Sequence, residues 1–591
     1  MNCPSRPDDI ESHPDWNQNP QSLNADATTR ADLNGVVNRR AQRNHDGSIS
    51  LDEMELQVID PSTLATKPGD STYSKGGKQT VVSRNKSLQS LSPDRQTSFR
   101  SVPVQPEATV LAWHRRAATR MTSVLIKYAR FVGPGFLIAV AYIDPGNYAT
   151  DVEAGASTRY AHLFVILMSN LFAIFLQSLC IKLGSVTGLD LAENCRRHLP
   201  GWMVWPLYIL SEGAIIATDV AEVVGTAIAL NLLLNVPLVA GCAISLVDVF
   251  LLLLFYNPDG TMTRLRIFEY FVMFLVLGVM VCFCIQLSYI HDTSVGEVFY
   301  GYLPSSAVVD GNGVYLSCGI LGATVMPHSI FLGSGVVQPR LRQFDQDQQN
   351  TSDQVFEAAK AYDKTQDLSQ KYKPSIAAIR SCLKYSIAEL ATSLFTFALF
   401  VNSAILIVAG SSLYDTEAAD ADLFGIHALL VRTISPAAGV LFGLALLLSG
   451  TSAGIVCTMA GQMVSEGMIR WRLRPWVRRL LTRSISIIPS IAIAAAVGKQ
   501  GLNETLTASQ VALSVALPFV SAPLLWFTCK SSIMTVRSDA EGRRVDDGDA
   551  GAVGKVNMRN GWAVAVFGVL IWVVLVVMNV ALIVLAAMGK A

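Results

Sequence analysis

Apolar residues run along this chain in stretches longer than a buried helix of a water-soluble domain needs. Crossing the ~30 Å hydrocarbon layer of a bilayer takes about 20 mostly apolar residues in helical form. Runs of that kind lie near residues 129–153, 162–187, 203–231, 237–256, 267–290, 314–337, 382–410, 437–467, 481–498, 506–529 and 561–588. The pattern predicts an all-α integral membrane protein with eleven transmembrane helices. A further apolar stretch, 423–435, contains Arg432 and ends at Pro436, and is read as an entry to the eighth span. Residues 1–125 break the pattern: they are polar, rich in Ser, Asn, Asp and Arg, and hold no run long enough for a signal peptide. Such a segment buries too little apolar surface to offset its chain entropy, so a disordered tail is expected there.

Two of the apolar runs are interrupted by residues that a membrane helix disfavours. The first carries "AVAYIDPGNYATDVEAG" (139–155), with Asp144, Pro145, Gly146 and Asn147 in its middle. The sixth carries "GILGATVMPHSIFLGSG" (319–335), broken at Met326, Pro327 and His328. Proline removes a backbone donor and glycine weakens a helix, so both spans are expected to unwind at these points. Backbone groups freed at membrane depth survive only inside protein or against a wet cavity. The two broken spans are each the first of five, and an odd number of spans turns the second five upside down relative to the first. Discontinuous helices at matching places in inverted halves point to the binding site of a secondary transporter. The expected domains are therefore a tail (1–125), a first five-helix repeat (126–300), an inverted second repeat (301–530), and a loop with the eleventh helix (531–591).

Composition agrees with a membrane protein. Hydrophobic residues make up 51% of the chain and charged residues 16%, against roughly a quarter charged in soluble proteins. Lys and Arg together equal Asp and Glu at 46 each, and a net charge of zero argues against nucleic acid as a partner. Most of the ten cysteines sit in apolar stretches and form no CxxC pair, so neither a disulfide framework nor a thiolate metal site is expected. Positive residues concentrate in alternate loops, which places the N-terminus in the cytoplasm and the C-terminus outside. On that topology the sequon at Asn503 is external but close to the membrane, and the one at Asn350 is internal. "SRNKSLQSLSPDRQTSFRS" (83–101) fits either a phosphorylated region or a plain solvated tail.

The breaks carry ligand chemistry. Asp144 offers an anionic oxygen, Asn147 an amide oxygen and Met326 a thioether sulfur, and unwinding before Met326 frees the carbonyl of Ala323. Ca²⁺ and Mg²⁺ favour oxygen alone, whereas a thioether beside carboxylate and carbonyl suits Mn²⁺ or Fe²⁺. One carboxylate among neutral donors binds weakly enough to release its ion. Gln177, Asn402 and Gln510 are polar side chains in apolar surroundings, suited at the least to interhelical hydrogen bonds. In the third span Glu212, Asp219 and Glu222 share one helical face, and ionisable groups inside a membrane mark ion or proton paths. His328 needs little perturbation to exchange protons, and Arg478 and Arg479, where span nine begins, are placed to pair with the acidic stripe. Asp248, Glu269 and Glu389 are read as structural hydrogen-bonding groups.

"DPGN" in span one, "ATDVAEVVGTAIAL" in span three and "GATVMPHS" in span six resemble the Nramp family of proton-coupled divalent metal transporters, as do "SGVVQPR" and "GQMVSEG". The resemblance covers about 129–529, and with the long polar tail it is closest to fungal members. It implies a LeuT-like fold of two inverted five-helix repeats with helices one and six discontinuous. It implies that Asp144, Asn147, Ala323 and Met326 hold the metal. It makes Gln177, Asn402 and Gln510 second-shell or state-dependent ligands. It assigns proton coupling to Asp219, Glu222, His328 and the paired arginines. No resident cofactor is expected: the metal and protons are substrates, and the bilayer is the remaining partner. Many members read "LHS" a turn beyond "MPH", where this chain has Leu332, Gly333 and Ser334, so a second histidine role is absent here. An amino-acid or organic-cation symporter of the same fold, or a transporter-like metal sensor, are the rival functions. Plasma membrane, endosome and vacuole all remain open as locations.

Overall fold

Prolines and small polar caps punctuate a structure that is helical almost throughout. The computed structural model describes residues 133–247, 262–290, 293–310, 312–348, 371–414, 422–470, 475–496, 498–538 and 554–588. The polar tail, Asp248 and the sequon at Asn350 lie outside the described residues.

The first expected span is two helices, α1 (Pro134–Val140) and α2 (Pro145–Thr158), separated by an unwound stretch at 141–144. Asp144 forms the N-cap of α2, and Pro145 takes the first helical position, where its missing N–H costs nothing. There follow α3 (Leu163–Thr187), the short α4 (Leu191–His198), α5 (Gly201–Leu234), α6 (Leu238–Ile244), α7 (Met262–Ser288) and α8 (Val295–Tyr300). A capping box closes the start of α4: Glu193 N–H donates to Asp190 while Asp190 N–H donates to Glu193. The sixth expected span is again two helices, α9 (Gly313–Thr324) and α10 (Pro327–Gly335), with Val325 and Met326 unwound between them.

The second half continues with α11 (Gln338–Asp347), α12 (Ile376–Ser393), a wide π turn (Leu394–Ala398) and α13 (Leu399–Ser412) on the same rod. Then come α14 (Leu423–Thr433), α15 (Pro436–Ile469), α16 (Pro475–Ala496), α17 (Gly498–Cys529), a two-stranded antiparallel hairpin of β1 (Thr535–Ser538) and β2 (Gly554–Asn557), and α18 (Trp562–Ala587). Eight described helical segments are long and apolar enough to cross a membrane. One expectation fails. The stretch 423–435 is a helix of its own and not the entry to the next span. Ser435 N–H closes α14 on the Leu430 carbonyl at 3.1 Å, and its side chain starts a fresh cap by accepting the N–H of Ala438, because Pro436 cannot continue the preceding helix.

Polar and apolar surface is distributed as a bilayer requires. Phe274, Val281, Phe567 and Leu570 point their apolar side chains outward from α7 and α18. Inside, Gly225 of α5 lies against the ring of Pro145, so no side chain fits between α5 and the first break. Several buried charges are paired or hydrogen-bonded: Glu269 with Arg340 at 2.7 Å, Glu193 with Lys371, and Glu389 with the backbone of Gly133 and Gly135. Glu269 and Glu389 thus make hydrogen bonds of the kind expected of them. Among the described residues the cysteines form no disulfide, and eight of the nine are buried or partly buried.

Asn503 lies inside α17 and only 9% of its surface is exposed. A glycosylating enzyme needs its acceptor on an accessible loop, so the sequon is occluded by the fold. The Asn503→Gln chain is expected to migrate with the unaltered chain on electrophoresis before and after deglycosylation.

Candidate metal-binding site

The two breaks are consequences of the same backbone chemistry. In a continuous helix the N–H of residue 327 would bond the carbonyl of Ala323, but Pro327 has none. That carbonyl instead accepts the side-chain amide of Asn147 at 3.0 Å, across from the other break. At the first break the Asp144 carboxylate takes the N–H groups of Gly146 and Asn147, which in a continuous helix would bond the carbonyls of Tyr142 and Ile143. Asn402 of α13 donates to the carbonyl of Tyr142 at 3.0 Å, and Ser449 of α15 donates to that of Ile143 at 2.6 Å. Side chains from two further helices thus replace the missing helical bonds.

Asp144, Asn147, Ala323 and Met326 are each wholly buried, with 0% exposure. Asp144 accepts the backbone N–H of Asn147 at 3.0 Å and of Gly146 at 3.2 Å, which fixes its carboxylate at the start of α2. The Asn147 amide donates to both Asp144 Oδ1 and the Ala323 carbonyl, and its own Oδ1 accepts from Asn402 at 3.3 Å. A single N–H₂ group therefore sits between an anionic oxygen from one break and a carbonyl oxygen from the other. Met326 caps α10, and its carbonyl accepts the hydroxyl of Ser329 at 2.8 Å.

The outer set of predicted residues is also placed around the breaks. Gln177 of α3 donates to Tyr142 Oη at 2.9 Å and to Ser329 Oγ at 3.1 Å, tying α3 to both broken helices. Gln510 of α17 stands against Gly146, where any side chain at 146 would strike it. Its Oε1 has no hydrogen-bond partner among the described residues.

A buried charge cluster lies on α5. Asp219 pairs with the guanidinium of Arg483 and accepts the hydroxyl of Ser486 at 2.6 Å, and Arg483 reaches Glu222 at 3.3 Å. The Cys457 sulfur lies within 4.8 Å of carboxylate oxygens of both acids. Arg483 already supplies the positive charge there, so this group is an ion-pair network and not a second thiolate metal site. His328 approaches α5 through Thr218, Nδ1 to Oγ1 3.4 Å, beside Asp219. That contact joins the second break to the acidic stripe.

The structure adds one residue that the sequence did not single out and leaves Glu212 apart from the cluster. The arginine that the structure brings to Asp219 and Glu222 is Arg483, one turn beyond Arg479; the side chains of Arg478 and Arg479 lie outside the described residues. Arg483 is 1% exposed, and its position inside an apolar run hid it from a search for loop charges. Glu212 shares the helical face but not the cluster: seven residues of helix put it about 10 Å from Asp219, and its Oε2 has no partner among the described residues. Tyr142, Ser449 and Thr218 also went unnoticed, because a lone hydroxyl in an apolar helix gives no signal until its partner is known.

Broken helices that meet at the centre of a polytopic bundle, with oxygen donors from both, define the class of secondary membrane transporters. Comparison with known proteins narrows the class. A family model described as natural resistance-associated macrophage protein-like matches residues 135–540. The manganese transporter SMF1 of Saccharomyces cerevisiae is 52% identical over 493 residues, covering 78% of this chain and 86% of that protein. The iron transporter SMF3 of the same yeast is 49% identical over 419 residues, covering 70% and 85%. Among solved structures, a manganese transporter of Eremococcus coleocola matches with a TM-score of 0.60 at 32% identity, over 76% of this chain and 85% of that one. The chain belongs to the Nramp family, with its LeuT-like fold.

Arg483→Ala leaves two acids buried without their cation. Breaking a buried pair from one side costs about 3–5 kcal/mol. A large fall in thermal unfolding temperature is expected, part of which Asp219→Asn in the same chain restores.

Proposed function

We propose that this protein moves Mn²⁺ or Fe²⁺ across a membrane into the cytosol, coupled to protons, by alternating access. The observation that carries the proposal is the Asn147 amide held between Asp144 Oδ1 and the Ala323 carbonyl. A cation satisfies the same two oxygens that this donor satisfies now. Rotating the Asn147 amide by half a turn presents its oxygen to the same point, and Met326 closes the set with sulfur. Three oxygens and one thioether favour a borderline-soft divalent ion over Ca²⁺ or Mg²⁺. The metal is cargo; the proposal includes no resident cofactor. The manganese and iron transporters to which the chain is similar support this choice of ions.

Proton movement is assigned to the line from His328 through Thr218 to Asp219, Arg483 and Glu222. The hydrogen-bond and ion-pair contacts along it supply a route leading away from the metal ligands. Metal arriving at Asp144 displaces positive charge toward α5, and helices one and six then rock against the scaffold to open inward. The N-terminus is assigned to the cytoplasm from the alternation of positive loops. Plasma, endosomal or vacuolar membrane is the proposed setting.

Asp144→Asn removes the sole anionic ligand and is expected to abolish uptake of labelled Mn²⁺ while the protein still reaches the membrane. Met326→Ala is expected to lose preference for Mn²⁺ over Ca²⁺ in competition uptake. Uptake measured at pH 5.5 and 7.5 should be greater at the acidic value for the unaltered chain and lose that difference in Asp219→Asn. Wild-type selectivity in Met326→Ala, or unimpaired uptake in Asp144→Asn, would overturn the assignment.

A further inference from the structure

The helix α1 has seven residues and ends at the unwound stretch, so its far end is loose from α2. Its near end is hydrogen-bonded to a carboxylate. Gly133 N–H donates to Glu389 Oε1 at 3.0 Å, and Gly135 N–H donates to Oε1 at 2.9 Å and Oε2 at 2.8 Å. Glu389 is 2% exposed and comes from α12, far along the chain. Beside it, the Glu269–Arg340 pair lies directly against Gly133. Gly133 has φ +149°, and a side chain there would meet Arg340 Nη2 at 2.8 Å. The approach of α1 to these charges is therefore close, and glycine permits it.

The rod that carries Glu389 also carries Asn402, which holds the Tyr142 carbonyl at the break. One rod thus grips α1 at both ends. Between the two grips lies the π turn, Leu394–Ala398. A π turn adds one residue to a helix, which turns every later side chain by about 100°. Single π turns inside α-helices occur frequently at functional sites. Here the turn sets the relative rotation of Glu389 and Asn402.

We propose that Glu389 is a positioning residue for transport, the latch that keeps the N-terminal half of helix one closed, and that its release from Gly133 and Gly135 opens that side of the protein. Glu389 touches no metal ligand; it acts through α1. This rests on the alternating-access reading above, but its test needs no metal movement.

The test uses cysteine accessibility in the purified full-length protein. Ala139, buried at 0% on α1, is replaced by Cys, and its labelling by a water-soluble maleimide is corrected for the same chain without it. Ala229→Cys on α5, equally buried, reports general loosening. Glu389→Gln is expected to raise labelling at 139 about tenfold, the effect of weakening charge-assisted bonds, with labelling at 229 unchanged. Gly135→Ala attacks the contact from the other side, since its Cβ would lie 2.7 Å from the Glu389 carboxyl carbon, and should act alike. Glu389→Asp, which keeps the charge, should label at a rate nearer the unaltered chain. Equal increases at 139 and 229 would make Glu389 a general structural residue. Unchanged labelling at 139 in folded Glu389→Gln or Gly135→Ala would also overturn the latch. Because metal is absent throughout, the result is independent of whether Asp144 binds Mn²⁺.

Discussion

A backbone carbonyl that loses its helical partner inside a membrane must find another, and this structure is arranged around that requirement. Pro327 deletes the donor of the Ala323 carbonyl, and Asp144 takes the N–H groups of Gly146 and Asn147 that would serve Tyr142 and Ile143, so these three carbonyls are left to be satisfied by side chains. An unsatisfied buried group costs about 1–3 kcal/mol, so the three acceptors require three helices to be in place. Asn147, Asn402 and Ser449 meet that need from α2, α13 and α15. The demand for hydrogen bonds therefore assembles the site before any ion enters it. It also concentrates oxygen atoms where a cation can replace an amide.

Charge is handled by a second rule, that a buried ion needs an opposite ion or several donors close by. Asp219, Glu222 and Arg483 satisfy it as a triad, and Glu269 with Arg340 as a pair. Glu389 accepts backbone N–H groups, with the Arg340 guanidinium close by. These are different degrees of commitment. A guanidinium between two carboxylates is costly to separate, whereas a carboxylate on two amides can exchange them for water when the helix moves. The fixed pairings sit in the scaffold helices, and the exchangeable one sits on the broken helix. That division suits a protein in which one part moves against another.

Much of this was legible beforehand because the membrane simplifies the code. Long apolar runs gave nearly all the helices, and two polar interruptions marked the breaks. Asp144, Asn147 and Met326 stood out because they sit at the breaks, beside the prolines that interrupt the two runs. The separate helix at Leu423–Thr433 was misjudged, because a short apolar stretch before proline reads equally as a lead-in or as an element. Arg483 was overlooked for another reason: a lone arginine inside an apolar run lies outside the loops where charge is expected, and only its proximity to Asp219 explains its burial.

By itself the sequence determined that the chain is a helical protein crossing the bilayer many times, and where two of those helices must come apart. Those are local facts, set by hydropathy over about 20 residues and by the missing donor of proline. Only the tertiary structure decided which groups repair the breaks, which arginine neutralises the acidic stripe, and what holds α1 at its start. Each of these joins residues far apart in the chain, such as Gly133 and Glu389, 256 positions apart. Periodicity carries no information at that separation; packing of the helices supplies it.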